Sequence, residues 1–177
     1  LALAFSVFIL SGKERLADQI KRLMKVTLPE EKNSKVMHVL TVANKSFSSY
    51  VTGQLIEAVI IGVLCFIGMS IFRIPYASAV SVLVGFTALI PMFGAFIGTA
   101  IGAILILFVA PVKAFWFIVF IIVLQQIEGN LIYPKVVGKS VGLPGIWVLA
   151  AVTIGGSTFG IIGILIGVPL FSTIYEL

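Results

Sequence analysis

Charge is what this sequence has least of. Only 11% of its 177 residues are Asp, Glu, Lys or Arg, while 60% are hydrophobic, and the mean hydropathy is +1.20. Soluble domains carry about a quarter charged residues, so water is the wrong solvent for most of this chain. Cysteine is almost missing as well. Cys65 alone excludes an intrachain disulfide and a cysteine-built metal site. His38 is the sole histidine and Asp18 the sole aspartate, so neither a metalloprotease helix nor a pair of intramembrane aspartates can be drawn. Gly138, Lys139 and Ser140 imitate the end of a P-loop, but Tyr133 stands where its first glycine belongs. No nucleotide site, metal or other cofactor is expected, and no enzymatic chemistry.

What is present comes in long apolar runs, which approach or exceed the ~20 residues that cross a bilayer as helix. Leu1 to Leu10 begins mid-run, without an initiator Met or the basic start of a signal peptide. It reads as the end of a hydrophobic helix whose upstream part is missing. Lys13 to Lys45 then holds eight basic residues against Glu14, Asp18, Glu30 and Glu31. Within it Leu16, Ile20, Leu23 and Met24 recur at helical spacing among Lys13, Arg15, Lys21, Arg22 and Lys25, the pattern of an amphipathic helix on a membrane surface. The block has no aromatic stacking platform, so nucleic acid is not the expected partner. Membrane lipid is, and the positive-inside rule puts the block in the cytoplasm. Thr27 with Glu30 fits a capping box and Pro29 sits in the first turn, so a new helix is expected there, leading through Phe47 into the membrane.

Tyr50 to Phe72 is a full-length span closed by Arg73 and Pro75. Tyr76 to Ala110 is uncharged for 35 residues, which as one helix would reach ~50 Å against a hydrocarbon core of ~30 Å. The run must fold into two pieces, and Pro91 is the break. Ala114 to about Ile132 is the next span, followed by a polar loop with Pro134, Lys135, Gly138, Lys139 and Gly142. Pro144 to Leu177 is again too long for one crossing, and Gly155 to Gly160 predicts two half-helices meeting at a loop. With the basic block inside, Arg73 is outside, the Pro91 piece returns as a hairpin, and Lys135, Lys139 and Glu176 fall inside; two full crossings in each long piece keep the same parity. The fold class is all-α: a polytopic transmembrane helical protein with broken helices or helical hairpins. Residues 1–10 end a truncated transmembrane helix, 11–48 form a cytoplasmic amphipathic helical segment, and 49–177 form the transmembrane region.

Polar residues inside such runs need a reason. Glu57 is the one ionisable side chain deep in its span, with Gln54 one turn earlier on the same face. A charge near the bilayer centre costs ~3 kcal/mol on insertion scales, so Glu57 is either a proton or cation site or a carboxyl buried against a neighbour. Gln125, Gln126, Glu128 and Asn130 form the densest polar cluster outside the basic block. They line a pathway or mark a helix end leaving the membrane. Gly94, Gly98 and Gly102 repeat at every fourth residue, which allows close helix packing. Gly160, Gly163, Gly167 and Pro169 suggest the same for the last helix, alongside Gly155 and Gly156.

Four stretches carry a family resemblance. They are Gly53-Gln54-Leu55-Ile56-Glu57-Ala58, then Leu89-Ile90-Pro91-Met92-Phe93-Gly94, then Gln125-Gln126-Ile127-Glu128-Gly129-Asn130 continuing through Tyr133-Pro134-Lys135 to Gly138, and Gly155 to Gly160 through Val168-Pro169-Leu170. In order and spacing the chain resembles the AI-2E transporters over essentially all its length, although the family pattern has a proline where this chain has Ala95. The resemblance implies a bacterial inner-membrane, multi-pass homo-oligomer that moves a small solute or monovalent cation. It implies a secondary transporter, exporting a signal like autoinducer-2 or exchanging sodium or lithium for protons, with Gln54, Glu57, Gln125, Gln126, Glu128 and Asn130 along the route. A passive channel and a scaffolding membrane protein are the alternatives.

Overall fold

The computed structural model describes residues 18–19, 29–91, 93–138 and 142–177. The Leu1 to Leu10 run, the amphipathic helix after it, Thr27 and Lys139 lie outside the described residues. Two units divide at Val42 and Ala43. Among the described residues all regular structure is helical.

Helix α1 covers Glu30–Ile71. Its start is where the proline and acidic residues place it: the Asn33 amide donates to Pro29 O at 2.9 Å, and Glu30 and Glu31 occupy the first turn, next to the positive end of the helix dipole. Lys35 closes on Glu31 at 2.8 Å. The helix runs unbroken through residues 48 and 49. It stops at a turn in which Arg73 and Tyr76 both have positive φ, 50° and 59°.

The uncharged run splits into α2, Ala77–Thr87, and α3, Phe93–Leu107. Each spans only ~16 to ~22 Å at 1.5 Å per residue, short of the hydrocarbon thickness. They pack on each other as a hairpin. Glycine makes this approach possible. A Cβ at Gly94 would fall onto the Thr87 carbonyl, one at Gly98 would meet Thr87 Oγ1 and Val84, and one at Gly102 would sit 2.8 Å from a Val80 methyl. Lys113 donates to Arg73 O, tying the start of the next helix to the end of α1. The α2–α3 hairpin therefore enters and leaves at the Arg73 end, and its tip, residues 88–91, lies at the depth of Gln54, whose amide Nε2 donates to Ala88 O at 2.9 Å.

Helix α4 covers Pro111–Ile127 and continues as two π-helical turns, Glu128–Ile132 and Pro134–Gly138. The expected polar loop at Pro134, Lys135 and Gly138 is therefore a correction: these residues remain helical. The amide of Tyr133 reaches back to Glu128 O, five residues away, and widening the turn in this way lets the chain pass a proline that has no amide hydrogen to give.

The last helical run, α5, covers Gly145–Glu176 and contains one non-helical residue, Gly160, at φ 59° and ψ −138°. It is long and apolar enough to cross a membrane, yet it is not straight. A Cβ at Gly155 would land on the Gly163 carbonyl, one at Gly163 on the Gly155 carbonyl, and one at Gly167 lies 2.9 Å from Ala151 O. In a straight helix those pairs would stand ~12 and ~24 Å apart. The arms 145–159 and 161–176 fold back on one another. The expected loop over Gly155 to Gly160 shrinks to a single residue, because Gly155, Gly156, Ser157 and Thr158 stay helical. The base of this second hairpin lies beside the first half of α1, where Lys45 meets Glu176 at 2.8 Å and Ser172 meets Ser46 at 3.5 Å.

Two cores follow from the two hairpins. Ile61, Cys65 and Met69 of α1 pack with Val80, Val84, Ile106, Phe117 and Ile121 towards the Arg73 end. Tyr50 packs with Val137, Ala151, Val152, Ile164 and Val168 towards the Lys45 end.

Candidate functional site at the hairpin tips

Glu57 lies two-thirds of the way along α1, on its buried face, and is only 2% exposed. Gln54 precedes it by one turn and is held the same way. Its Nε2 donates to Glu57 Oε2 at 2.8 Å and also to Ala88 O at 2.9 Å. The Ala88 carbonyl is available because α2 has ended one residue earlier, so the break in the first hairpin supplies a main-chain acceptor inside the bundle. Glu128 completes the group: its carboxyl lies within hydrogen-bonding reach of Glu57. Two carboxyls can bond to each other only with a proton between them.

A cavity of about 480 Å³ opens beside this pair. Glu57, Gln125, Gln126, Glu128, Tyr133 and Pro91 line its polar end, and Ala95, Thr99, Ala103 and Ile118 carry it along α3 and α4. Four of the six sequence-predicted pathway residues thus share one cavity. Gln54 stands behind Glu57 as its partner. Asn130 is exposed and donates to Gln126 O at 2.8 Å, so it braces Gln126 from outside the cavity.

Of the break and packing residues, Pro91 lines the cavity, and Gly94 and Gly98 are buried in the α2–α3 contact. Gly155 packs on Gly163, and Gly156 on Ile164. Gly160 is the turn. Pro169 is fully buried, and its carbonyl accepts from Thr173 Oγ1 at 2.8 Å. Phe93, beside the first break, shares a second cavity of about 440 Å³ with Gly156, Ser157 and Gly160 of the second tip. The two tips approach from opposite ends.

Residue-by-residue reading of the sequence missed Tyr50 and Tyr133. Both stand close enough to Glu57 to feel its charge. Tyr50 is seven residues before Glu57, hence on the same face of α1, and that spacing was the available signal. The Ala88 carbonyl left none, since any residue type offers it.

An apolar bundle in which discontinuous helices from both ends meet around carboxyl and amide side chains defines an all-α membrane protein. More closely, the chain belongs to the AI-2E family transporters, whose match covers residues 1–177. YrrI of Bacillus subtilis, provisionally named a transport protein, is 37% identical over 125 residues, 70% of this chain and 35% of its own. YueF of the same organism, named likewise, is 29% identical over 147 residues, 83% of this chain and 40% of its own. PerM of Escherichia coli K12, provisionally named a permease, is 30% identical over 171 residues, 94% and 46% of the respective chains. The chain thus spans less than half the length of these relatives. No solved structure matches it.

Proposed function

We propose that this chain is the site-bearing part of a multi-pass secondary transporter of the bacterial inner membrane, in which Glu57 carries a proton or monovalent cation while a small solute passes through the adjoining cavity. The observation that carries this reading is the pairing of Glu57 with Glu128 at the meeting of two opposed hairpins. A carboxyl pair in hydrocarbon is costly and is retained where it exchanges a proton or an ion. Discontinuous helices supply free main-chain groups at that depth, the arrangement by which secondary transporters bind substrate near the midplane. Irregular backbone there is tolerable only against protein or a wet cavity, and residues 88–91 have both.

The solute is an autoinducer-2-like signal, or sodium or lithium exchanged for protons. Gln125, Gln126 and Glu128 line its way and Gln54 fixes the carrier carboxyl. The outer face of α1, with Val51, Leu55, Val59 and Val63 exposed, meets lipid or a second copy in a homo-oligomer. The test is flux in vesicles holding the full-length protein, with sodium, lithium and autoinducer-2 offered in turn and internal pH recorded. Coupled proton counterflow that disappears in Glu57→Gln supports the reading. Flux without proton movement would make the protein a channel, and flux indifferent to Glu57→Gln would remove that residue from the mechanism.

A further inference from the structure

The buried face of α1 changes character at Glu57. Towards the Arg73 end its inward residues are Ile61, Cys65 and Met69, set in the apolar core with Val80, Val84 and Phe117. Among the described residues the thiol of Cys65 contacts Met69 Sδ at 3.8 Å. Towards the Lys45 end the inward residues are Gln54, Tyr50 and Ser46, all buried. Ser46 faces Ser172 of the second hairpin arm across 3.5 Å, and Lys45, the neighbour of Ser46, forms an exposed ion pair at the surface with Glu176, one turn beyond Ser172. Tyr50 is 2% exposed, and its hydroxyl has no hydrogen-bond partner among the described residues. Elsewhere in the bundle the buried hydroxyls are turned back on their own helices, Ser81 onto Ser78 O at 3.0 Å and Thr87 onto Val84 O at 3.1 Å.

We propose that Ser172, Ser46 and Tyr50 line a proton route from the Lys45–Glu176 face to Glu57, separate from the solute cavity. The inference rests on Glu57 acting as a proton carrier. Ser46 and Tyr50 lie one turn apart on one face of α1, a backbone rise of ~6 Å, and bridging water would link their hydroxyls with hydrogen bonds nearly as good as direct ones. A hydroxyl both donates and accepts, so each can pass a proton on without holding a charge. Beyond Glu57 the apolar core offers no such relay. The solute cavity, by contrast, leads from the carboxyls along Ala95, Thr99 and Ala103, in the direction away from Lys45. Proton and solute would thus reach one site from opposite ends. The titratable groups facing Glu57 are Glu128 at the start of the first π-helical turn, Tyr133 just after that turn and Tyr50 from α1 itself.

The test needs no substrate. In the full-length protein in lipid, the infrared C=O stretch of a protonated carboxyl is assigned by its loss in Glu57→Gln, and its shift on transfer to deuterium oxide is timed. Tyr50→Phe and the double variant Ser46→Ala/Ser172→Ala should each slow that shift about tenfold, the rate cost of roughly one strong hydrogen bond in the barrier. Cys65→Ala, on the apolar side, should leave it unchanged. A band present in the parent, with exchange unaltered in both hydroxyl variants or slowed equally by Cys65→Ala, overturns the route and leaves Glu57 in place. If no Glu57 band exists, the carrier reading itself fails and the route falls with it.

Discussion

The two hairpins solve one problem by different means. The α2–α3 hairpin turns at a proline and is seated in the larger apolar core, its arms meeting through glycines that oppose side chains and one carbonyl. The arms of α5 turn at one glycine and meet backbone to backbone, Gly155 against Gly163. At the base of the first, Lys113 donates to Arg73 O. At the base of the second are Lys45, Ser46, Ser172 and Glu176. The first hairpin therefore seals its end of the bundle and donates one carbonyl to the carboxyl site, while the second brings polar groups to the opposite end. The asymmetry, rather than the likeness, assigns them different tasks.

The largest expected effect lies where both hairpins meet. Glu57→Gln should abolish proton-coupled flux in reconstituted vesicles while leaving the protein folded, since the amide keeps the shape and can still bond Glu128; loss of the folded protein instead would make Glu57 a structural residue. Next comes Gly94→Val, which drives a branched side chain into the Thr87 carbonyl. It should destabilise the protein by at least the ~1–3 kcal/mol of an overpacked core, read as a lower melting temperature in detergent, and a melting temperature unchanged would mean that α2 and α3 part without cost. Gly160→Ala should cost about 1–3 kcal/mol for a side chain held at a backbone angle that only glycine adopts freely. Nothing surrounds that position within 4 Å, so the penalty is conformational and Gly160→Asn should be better tolerated than Gly160→Val. Smallest is Lys45→Ala. Its pair with Glu176 is exposed and such pairs contribute ~0–1 kcal/mol, so the melting temperature should barely move, and a large drop would give the polar base of the second hairpin a structural weight equal to the apolar core that seats the first.

Much of this architecture was legible because helix breakers and bilayer thickness act locally. A 35-residue uncharged run cannot be one crossing, and Pro91 marks where it breaks. The second break was legible to within a few residues, though Gly155 and Gly156 turned out to be packing glycines inside a helix, and Gly160 alone the turn. What the same rules got wrong was residues 134–138. There Pro134 looks like a stop, and the shift to five-residue hydrogen bonding that absorbs it has no signature in side-chain type. In the candidate site, Gln54, Glu57, Gln125, Gln126 and Glu128 could be found because polar side chains are rare in apolar runs. That Glu57 faces Glu128 across 71 residues of chain, and that Gln54 reaches a main-chain oxygen, follows from tertiary packing and could not be seen in spacing.

The Ser46–Ser172 contact joins residues 126 apart in the chain, which makes it among the last to form as this region assembles. Until the second hairpin docks, Ser46 lacks its Ser172 partner and Tyr50 lacks the side chains that bury it, which leaves both open to lipid. A copy whose final arm is missing or misinserted therefore displays a polar seam on α1, by which a half-built molecule differs from a finished one before any transport is attempted.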